Sequence, residues 1–174
     1  MIKTILRNRI LRNRASTVPT SILPLSKVKS VAVFLNVEDT SYDNCKNDIL
    51  GYFRSKNIKV EIFFLELRKI GSGERLITSI TNTILQKDIN WLGIPSNEKL
   101  SWLDNLDPDM LLMLLPNSDF TVEFIAKYSK ARFKVGRRTL PGSVFDLVIA
   151  DTETTELPAD KTFTNVKNIL EKIS

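Results

Sequence analysis

Two continuous apolar runs, each as long as a β-strand, constrain the fold of this chain more than any other feature. Residues 31–35 read Val-Ala-Val-Phe-Leu, and residues 110–115 read Met-Leu-Leu-Met-Leu-Leu. Runs without a polar interruption are typical of strands that are buried on both faces, as in parallel sheets covered by helices. We therefore expect an α/β protein built around a buried parallel sheet.

Helical patterns alternate with strand patterns along the rest of the chain. Thr40 or Ser41 can cap a helix that ends near residue 56, and residues 59–65 follow as a second strand. The alternation continues with a short helix over residues 95–103, a helix that begins at Ser118 or Asp119, strands at 132–135 and 145–150, and a helix with Phe163, Val166, Leu170 and Ile173 on one face. The pattern predicts a three-layer α/β sandwich, flavodoxin-like or Rossmann-like, with a mainly parallel sheet of about five strands.

Residues 68–90 are the least legible part of the chain. Residues 76–85 fit neither a helical nor a strand period, and a short strand or an irregular segment is favoured there. The Gly-Ser-Gly-Glu sequence at residues 71–74 is a fragment of a glycine loop, but no strand and helix flank it. We therefore predict no phosphate site there.

Basic residues are concentrated at the start of the chain. The formal net charge is +5, and residues 1–30 contain seven Lys or Arg and no Asp or Glu. Subtracting these seven from the 25 Lys plus Arg leaves 18 basic against 20 acidic side chains, so the rest of the chain has a formal charge of −2. Pro19 and Pro24 cannot lie inside a helix. The sequence therefore predicts a basic N-terminal helix and linker over residues 1–26 and a single α/β domain over residues 27–174.

The N-terminal segment contains a perfect tandem repeat of Ile-Leu-Arg-Asn-Arg at residues 5–9 and 10–14. On a helix, Ile2, Leu6 and Ile10 form an apolar stripe, and the favoured interpretation is that this stripe packs on the chain's own domain or on a second copy. The segment is also suited to weak, reversible binding of an anionic membrane surface or an acidic protein and, less favoured, of nucleic acid. Its candidate anion-binding residues are Arg7, Arg9, Arg12 and Arg14.

The absence of histidine excludes several kinds of chemistry. The chain can form no Ser-His or Cys-His nucleophile pair and no imidazole zinc site, and we assign no catalytic residue and no metal ligand. Cys45 is the single cysteine, and we expect it to be a small buried apolar residue in a reducing compartment. No run of 18 apolar residues indicates a membrane span. We therefore expect a cytoplasmic protein, with peripheral association with a membrane as an open alternative.

Acidic residues follow three of the predicted strands, at the edge where α/β proteins bind their ligands. The loop after the first strand has no glycine, so it is unsuited to a phosphate or a dinucleotide. The favoured interpretation is that these acids cap helices and that no cofactor is bound, and the alternative is a Mg²⁺ site in an enzyme or a sensor domain. The candidate crevice residues are Glu38, Asp39, Asp119 and Asp151.

A second basic segment has six Lys or Arg within residues 127–138, around a predicted strand and its exit loop. Arg132 and Lys134 share one face of that strand, so an edge strand with a charged outer face is the favoured interpretation. The functional alternative is an anion-binding patch, with two arginines free in the loop after Gly136. The candidate residues of this patch are Lys134, Arg137 and Arg138.

Four segments of the chain are distinctive. They are Asp-Ile-Asn-Trp-Leu-Gly-Ile-Pro at 88–95, Asp-Met-Leu-Leu at 109–112, the stretch 124–136 that ends in Ser-Lys-Ala-Arg-Phe-Lys-Val-Gly, and Phe-Asp-Leu-Val-Ile at 145–149. Together they resemble an uncharacterised bacterial family known only as a domain of unknown function. The resemblance covers nearly the whole chain and implies a bacterial cytoplasmic protein, with Asp109 and Asp146 matching acids that its members often carry, but it implies no activity.

A fainter similarity is to one half of heptosyltransferase-like glycosyltransferases. That enzyme fold needs a second Rossmann-like half, which 174 residues cannot hold. The similarity therefore implies a non-catalytic relative or one half of a complex.

Three functions of different class follow from these features. The favoured hypothesis is a non-enzymatic binding or adaptor domain whose basic N-terminal segment contacts an anionic surface or partner. One alternative is a carboxylate and Mg²⁺-dependent enzyme or sensor domain. The other is an RNA- or ribosome-associated protein, which ranks lower because few aromatic residues accompany the charges. A homo-oligomer is compatible with each of these functions.

Overall fold

A computed structural model of the chain describes residues 1–69, 80–149 and 156–174. The strands in these residues are β1 (Ser30–Asn36), β2 (Lys59–Glu66), β3 (Thr83–Leu85), β4 (Met110–Met113), β5 (Phe133–Gly136) and β6 (Leu147–Val148). The helices are α1 (Ile2–Arg14), α2 (Tyr42–Ser55), α3 (Asn97–Leu106), α4 (Phe120–Tyr128) and α5 (Ala159–Lys172). The strands form one sheet in the order β3-β2-β1-β4-β5-β6, and every pair is parallel. This is the Rossmann strand order, and it confirms the predicted three-layer α/β sandwich.

Helices cover both faces of the sheet. Side chains alternate between the two faces along each strand, and the strands carry apolar side chains on both, so both faces must be shielded from water. Helices α2 and α5 cover one face, where Phe53 and Phe163 are buried. Helices α3 and α4 cover the other face, where Leu103 and Ile125 are buried. The central strands β1 and β4 are buried on both faces, as their continuous apolar runs predict.

Two expectations about the strands are wrong. Among the described residues the sheet has six strands rather than about five, because a short strand does form within the segment 76–85, at Thr83–Leu85, and pairs with β2. The strand predicted at 132–135 is not an edge strand, because β5 lies between β4 and β6. The glycine fragment at 71–74 lies outside the described residues.

Helix α1 forms an additional layer on the outside of α4. Its side chains Leu6, Ile10 and Leu11 pack against a small cluster that includes the buried ring of Phe124. The predicted stripe is therefore partly right, but Ile2 is 73% exposed and Leu11 packs instead. Packing on the chain's own domain, the favoured interpretation of this helix, is confirmed.

The linker after α1 is hydrogen-bonded to the domain. The Ser16 N–H donates to the Lys127 carbonyl oxygen at 2.8 Å, just beyond the docked helix. The Ser21 N–H donates to the Arg132 carbonyl oxygen, also at 2.8 Å. These bonds hold the connection between α1 and β1 against α4 and the start of β5.

Candidate functional site

The strand order places a switch point between β1 and β4, and ligands of such sheets bind at the carboxyl ends of these strands. Strand β1 ends at Asn36, whose side-chain oxygen accepts a hydrogen bond from the Glu38 N–H at 3.0 Å. Glu38 itself is exposed. The loop is thus a tight turn closed by its own side chain, and it lacks the glycines of a phosphate-binding loop.

Asp39 joins the starts of two helices at this edge. One carboxylate oxygen accepts hydrogen bonds from the Ser41 N–H at 2.8 Å and the Ser41 hydroxyl at 2.7 Å. The other accepts the Ala159 N–H at 2.9 Å, at the start of α5. The Ser41 hydroxyl oxygen accepts the Asp160 N–H at 3.2 Å. Asp39 therefore satisfies backbone N–H groups at helix starts, the role that the favoured interpretation assigns to these acids.

A buried arginine lies beside Asp39. Arg137 follows β5, and its guanidinium donates to the Leu157 carbonyl oxygen and lies 4.0 Å from the Asp39 carboxylate and 3.8 Å from that of Glu156. The alternative in which Arg137 is free in the loop after Gly136 is wrong for this residue, because its side chain is fully buried by these partners. Burial, reinforced by the charge of Asp39, raises the pKa of the Cys45 thiol to about 12. Cys45 is the buried apolar residue that the sequence predicts, and its thiol stays protonated at neutral pH.

Asp119 lies on the opposite face of the sheet from Asp39. Its carboxylate accepts the Val122 N–H at 3.1 Å and the Asn117 side-chain amide at 2.6 Å, so it caps α4. The structure therefore separates Asp39 from Asp119, and Asp151 lies outside the described residues. Within residues 1–69, 80–149 and 156–174, no three or more carboxylate or thiol side chains converge as metal ligands. The Mg²⁺ site stays an alternative hypothesis.

The second basic segment is built into the domain. Lys134 is only 5% exposed, and its ammonium donates to the Ala126 carbonyl oxygen at 2.7 Å. This burial lowers the pKa of Lys134 to about 8. Arg138 is half-buried and donates from Nε to the Pro116 carbonyl oxygen at 3.0 Å. These side chains satisfy backbone carbonyl groups at the ends of neighbouring elements.

Two acids in the segments that carry the family resemblance connect strands to other parts of the chain. Asp109 accepts the Lys29 N–H at 2.8 Å and is paired with Arg132. Burial acts to raise the pKa of Asp109, but the hydrogen bonds from Lys29 and Arg132 outweigh it and hold that pKa below its ordinary value. Asp146 accepts the Lys134 N–H at 2.8 Å. Both acids have structural partners.

Helix α1 uses two of its arginines to dock on α4. The rings of Phe120, Phe124 and Tyr128 follow one another along α4. The Arg7 guanidinium lies 4.3 Å from the centre of the Phe120 ring, and that of Arg14 lies 5.5 Å from Phe124 and 5.4 Å from Tyr128. Each cation–π contact contributes about 0.5–1 kcal/mol at an exposed site and more when desolvated. Two of the four candidate arginines of α1 are therefore engaged with the domain.

The opposite side of α1 is exposed and carries apolar and basic residues. Ile2 is 73% and Ile5 60% exposed, and Arg9 and Arg12 are exposed as well. Residues seven apart lie nearly in line on a helix, so Ile2 aligns with Arg9 and Ile5 with Arg12. No acidic residue precedes Glu38 in the sequence. We refer to Ile2, Ile5, Arg9 and Arg12 as the outer face of α1.

A tight turn presents an exposed tryptophan beside α1. The Asn90 side-chain oxygen accepts the Leu92 N–H at 3.0 Å, and Gly93 has φ 92°, which glycine adopts without strain. Leu92 is buried, whereas its neighbour Trp91 is 65% exposed. The Leu92 carbonyl oxygen accepts a hydrogen bond from Arg7 Nε at 2.7 Å, so the turn is connected to α1.

Trp91 and α1 border one surface groove of about 350 Å³. Lys3 and Arg7 line it from α1, Trp91 from the turn, and Asp119 from the start of α4. Sequence reasoning missed Trp91 as a surface residue. The available signal was the Asn-x-x-Gly spacing of a turn, which places the residue after Asn at the tip.

A second residue that sequence reasoning missed is Glu66, at the carboxyl end of β2. It is fully buried and pairs with Arg68 Nε at 2.7 Å, and its second carboxylate oxygen makes no hydrogen bond to a described residue. The predicted strand stops at Leu65, one residue earlier. A strand period places Glu66 on the same face as Phe64, but nothing local indicates that a carboxylate is buried there.

Comparisons with known proteins identify a family but no activity. A protein-family model described as a family of unknown function (DUF6913) matches residues 1–173. No curated protein and no solved structure matches the chain, so the similarity to glycosyltransferases finds no support among these comparisons. No helix among the described residues is long and apolar enough to cross a bilayer.

Proposed function

The chain belongs to a family of unknown function, DUF6913, and we propose that it is a binding or adaptor domain that contacts an anionic surface through the outer face of α1. The observation that carries this proposal is the composition of that face. Arg9 and Arg12 are exposed there, and the first acidic residue of the chain is Glu38. Lys3, which borders the groove beside Trp91, is exposed as well.

Docking on α4 prepares α1 for binding. An isolated helix of 13 residues is marginal in water, and a segment that folds only when it binds loses affinity to the cost of ordering. Here Arg7 and Arg14 hold the helix through the aromatic row of α4. The exposed cations are therefore arranged on a preformed surface.

The charges support weak and reversible binding. Each basic side chain near an anionic bilayer contributes about 1 kcal/mol. Three such side chains, Lys3, Arg9 and Arg12, would increase the binding constant roughly a hundredfold over that of an uncharged surface. Because exposed charges are screened by salt, this gain should fall steeply between about 0.01 M and 1 M ionic strength.

The experiment compares two charge-reversed variants of the full chain in sedimentation with vesicles of phosphatidylserine and phosphatidylcholine. Arg9→Glu/Arg12→Glu should weaken binding at least about thirtyfold, because two attractions are lost and two repulsions gained. The matched control is Arg54→Glu/Lys161→Glu, which makes the same change of charge at exposed residues of α2 and α5 on the other face of the sheet. The control should bind like the wild type.

Point substitutions are preferable to removal of residues 1–26. Removal of α1 would expose the rings of Phe124 and Tyr128 on α4, and a change in binding could then reflect a damaged domain. Equal binding of both double variants would contradict the proposal. Binding of the wild type to single-stranded RNA but not to the vesicles would favour the RNA-associated alternative.

A further inference from the structure

The apolar residues of the same surface point to a more specific partner. We propose, on the basis of the proposed function, that the anionic surface is a lipid bilayer and that Ile2, Ile5 and Trp91 enter its interface when the basic residues bind the headgroups. The partner is thus a membrane that contains anionic lipid. The basis is the combination of exposed apolar and basic side chains on α1 and on the turn beside it.

Exposed aliphatic side chains are concentrated on α1. Ile2 and Ile5 leave 73% and 60% of their surfaces in water, although Leu6 and Ile10 of the same helix pack on the domain. A cluster of exposed apolar residues with basic neighbours is typical of helices that lie in a membrane interface. An apolar environment without a fixed shape, such as the acyl boundary of a bilayer, accommodates them without matching pockets.

The turn that carries Trp91 is connected to α1 by direct contacts. This turn is closed by the Asn90 side chain, and the Leu92 carbonyl oxygen accepts the hydrogen bond from Arg7 of α1. The Thr121 hydroxyl donates to the Gly93 carbonyl oxygen at 2.8 Å, which holds the other end of the turn on α4. The exposure of Trp91 is therefore imposed by the fold.

The chemistry of tryptophan favours a bilayer over an acidic protein. Tryptophan is enriched at the level of lipid headgroups, where its ring is in apolar surroundings and its N–H remains hydrated. Lys3 and Arg7 line the same groove as Trp91, together with the single carboxylate of Asp119, so cations outnumber acids beside the indole ring. The absence of acidic residues before Glu38 complements the negative charge of an anionic leaflet.

One experiment tests the aliphatic residues. Ile2→Ser/Ile5→Ser in the full chain should lower the partition coefficient onto phosphatidylserine vesicles at least tenfold while all basic residues remain. Ile22→Ser is the matched control, because Ile22 is 51% exposed in the linker and outside the proposed surface. It should bind like the wild type. Thermal unfolding of each variant checks that the domain is intact.

A second experiment follows Trp91 directly. The chain has two tryptophans, Trp91 and Trp102. Trp102 stacks on the Phe63 ring, with 5.9 Å between the ring centres, so Trp102→Phe keeps an aromatic ring there. In this variant Trp91 is the single tryptophan, and its fluorescence can be followed without interference. On vesicles, Trp91 emission should shift to the blue and be quenched by lipids brominated on their acyl chains.

The outcomes separate the inference from the function on which it rests. Unchanged partition of the Ile2 and Ile5 variant, or no quenching of Trp91, overturns insertion. If Arg9→Glu/Arg12→Glu still abolishes binding in that case, the electrostatic function stands without it. Failure of the wild type to bind anionic vesicles overturns the bilayer inference. Binding to an acidic polypeptide, lost in Arg9→Glu/Arg12→Glu, would then leave the proposed function with a different partner.

Discussion

Lys134 should make the stability of the domain rise with pH in the alkaline range. Its ammonium is 5% exposed and donates to the Ala126 carbonyl oxygen, and burial lowers its pKa from 10.5 to about 8. Between these values the unfolded chain holds the proton that the folded chain has released. Stability therefore increases as the pH rises from about 8 to about 10.5, and the gain is lost again as the pH falls through the folded pKa.

The magnitude follows from the size of the pKa difference. Each unit of difference between the folded and unfolded pKa corresponds to about 1.4 kcal/mol. The full contribution of the Lys134 titration to the free energy of unfolding is therefore about 3 kcal/mol. From about pH 7.5 to about pH 9 the expected gain in the free energy of unfolding is about 1 kcal/mol. The neutral amine still donates to Ala126, so the hydrogen bond survives the loss of the proton.

Cys45 acts in the opposite direction at higher pH. Its thiol has a pKa raised from 9.0 to about 12, so the folded chain keeps a proton that the unfolded chain loses. The stability from Cys45 is fully present below about pH 9 and is lost as the pH rises through the folded pKa. The Lys134 effect is therefore read from the difference between two variants that both keep Cys45.

The assay is urea unfolding of the wild type and of Lys134→Met at several pH values. The free energy of unfolding of the wild type relative to Lys134→Met should rise by about 1 kcal/mol from about pH 7.5 to about pH 9. Lys130→Met is the control, because Lys130 is 60% exposed and paired with Asp104, and its difference should stay flat. A flat difference for Lys134→Met as well would refute the argument that burial displaces its titration.

Three further substitutions test the packing. Asp109→Asn should lower the free energy of unfolding by about 1–3 kcal/mol at neutral pH. Because the pKa of Asp109 is lowered in the folded chain, this loss should shrink as the pH falls below about 4, and a loss that does not depend on pH would contradict the lowered pKa. Gly136→Ala should lower the free energy of unfolding, measured by thermal unfolding, by about 1–3 kcal/mol, because the added Cβ would overlap the Phe145 ring. Gly51→Ala, in the exposed part of α2, should instead raise it by about 0.5–1 kcal/mol. Equal effects of the two substitutions would argue against the overlap. Arg7→Met should speed hydrogen exchange of the α1 amides roughly tenfold, because it removes a cation–π contact and a hydrogen bond. Unchanged exchange would mean that α1 docks by its apolar residues alone.

Much of the architecture could be predicted from local patterns. The runs at 31–35 and 110–115 are buried on both faces of the sheet, and Phe163, Val166 and Leu170 share the buried face of α5. These predictions succeed because burial imposes a period of its own on residues close together in the chain. Strand β3 was left open because three residues are too few to show a period.

The partners of the charged residues could not be predicted in this way. Arg137, which one hypothesis left free in its loop, is fully buried beside Asp39, and Lys134, predicted to lie on an edge strand, donates to a helix carbonyl oxygen. Arg7 and Arg9 belong to the same repeat, yet one lies on an aromatic ring and the other in solvent. Long side chains bind partners that are distant in the sequence, and a local sequence pattern does not indicate which partners these are.

By itself, the sequence determined the layers of the fold, the separation of a basic N-terminal segment from a slightly acidic remainder, and the exclusion of histidine chemistry. Only the tertiary structure decided the order of the sheet, the division of the crevice acids between its two faces, and which face of α1 is exposed. The physical reason is that the periodicity of burial is a property of neighbouring residues. The environment of a charge depends on which distant backbone groups and rings the fold brings to it.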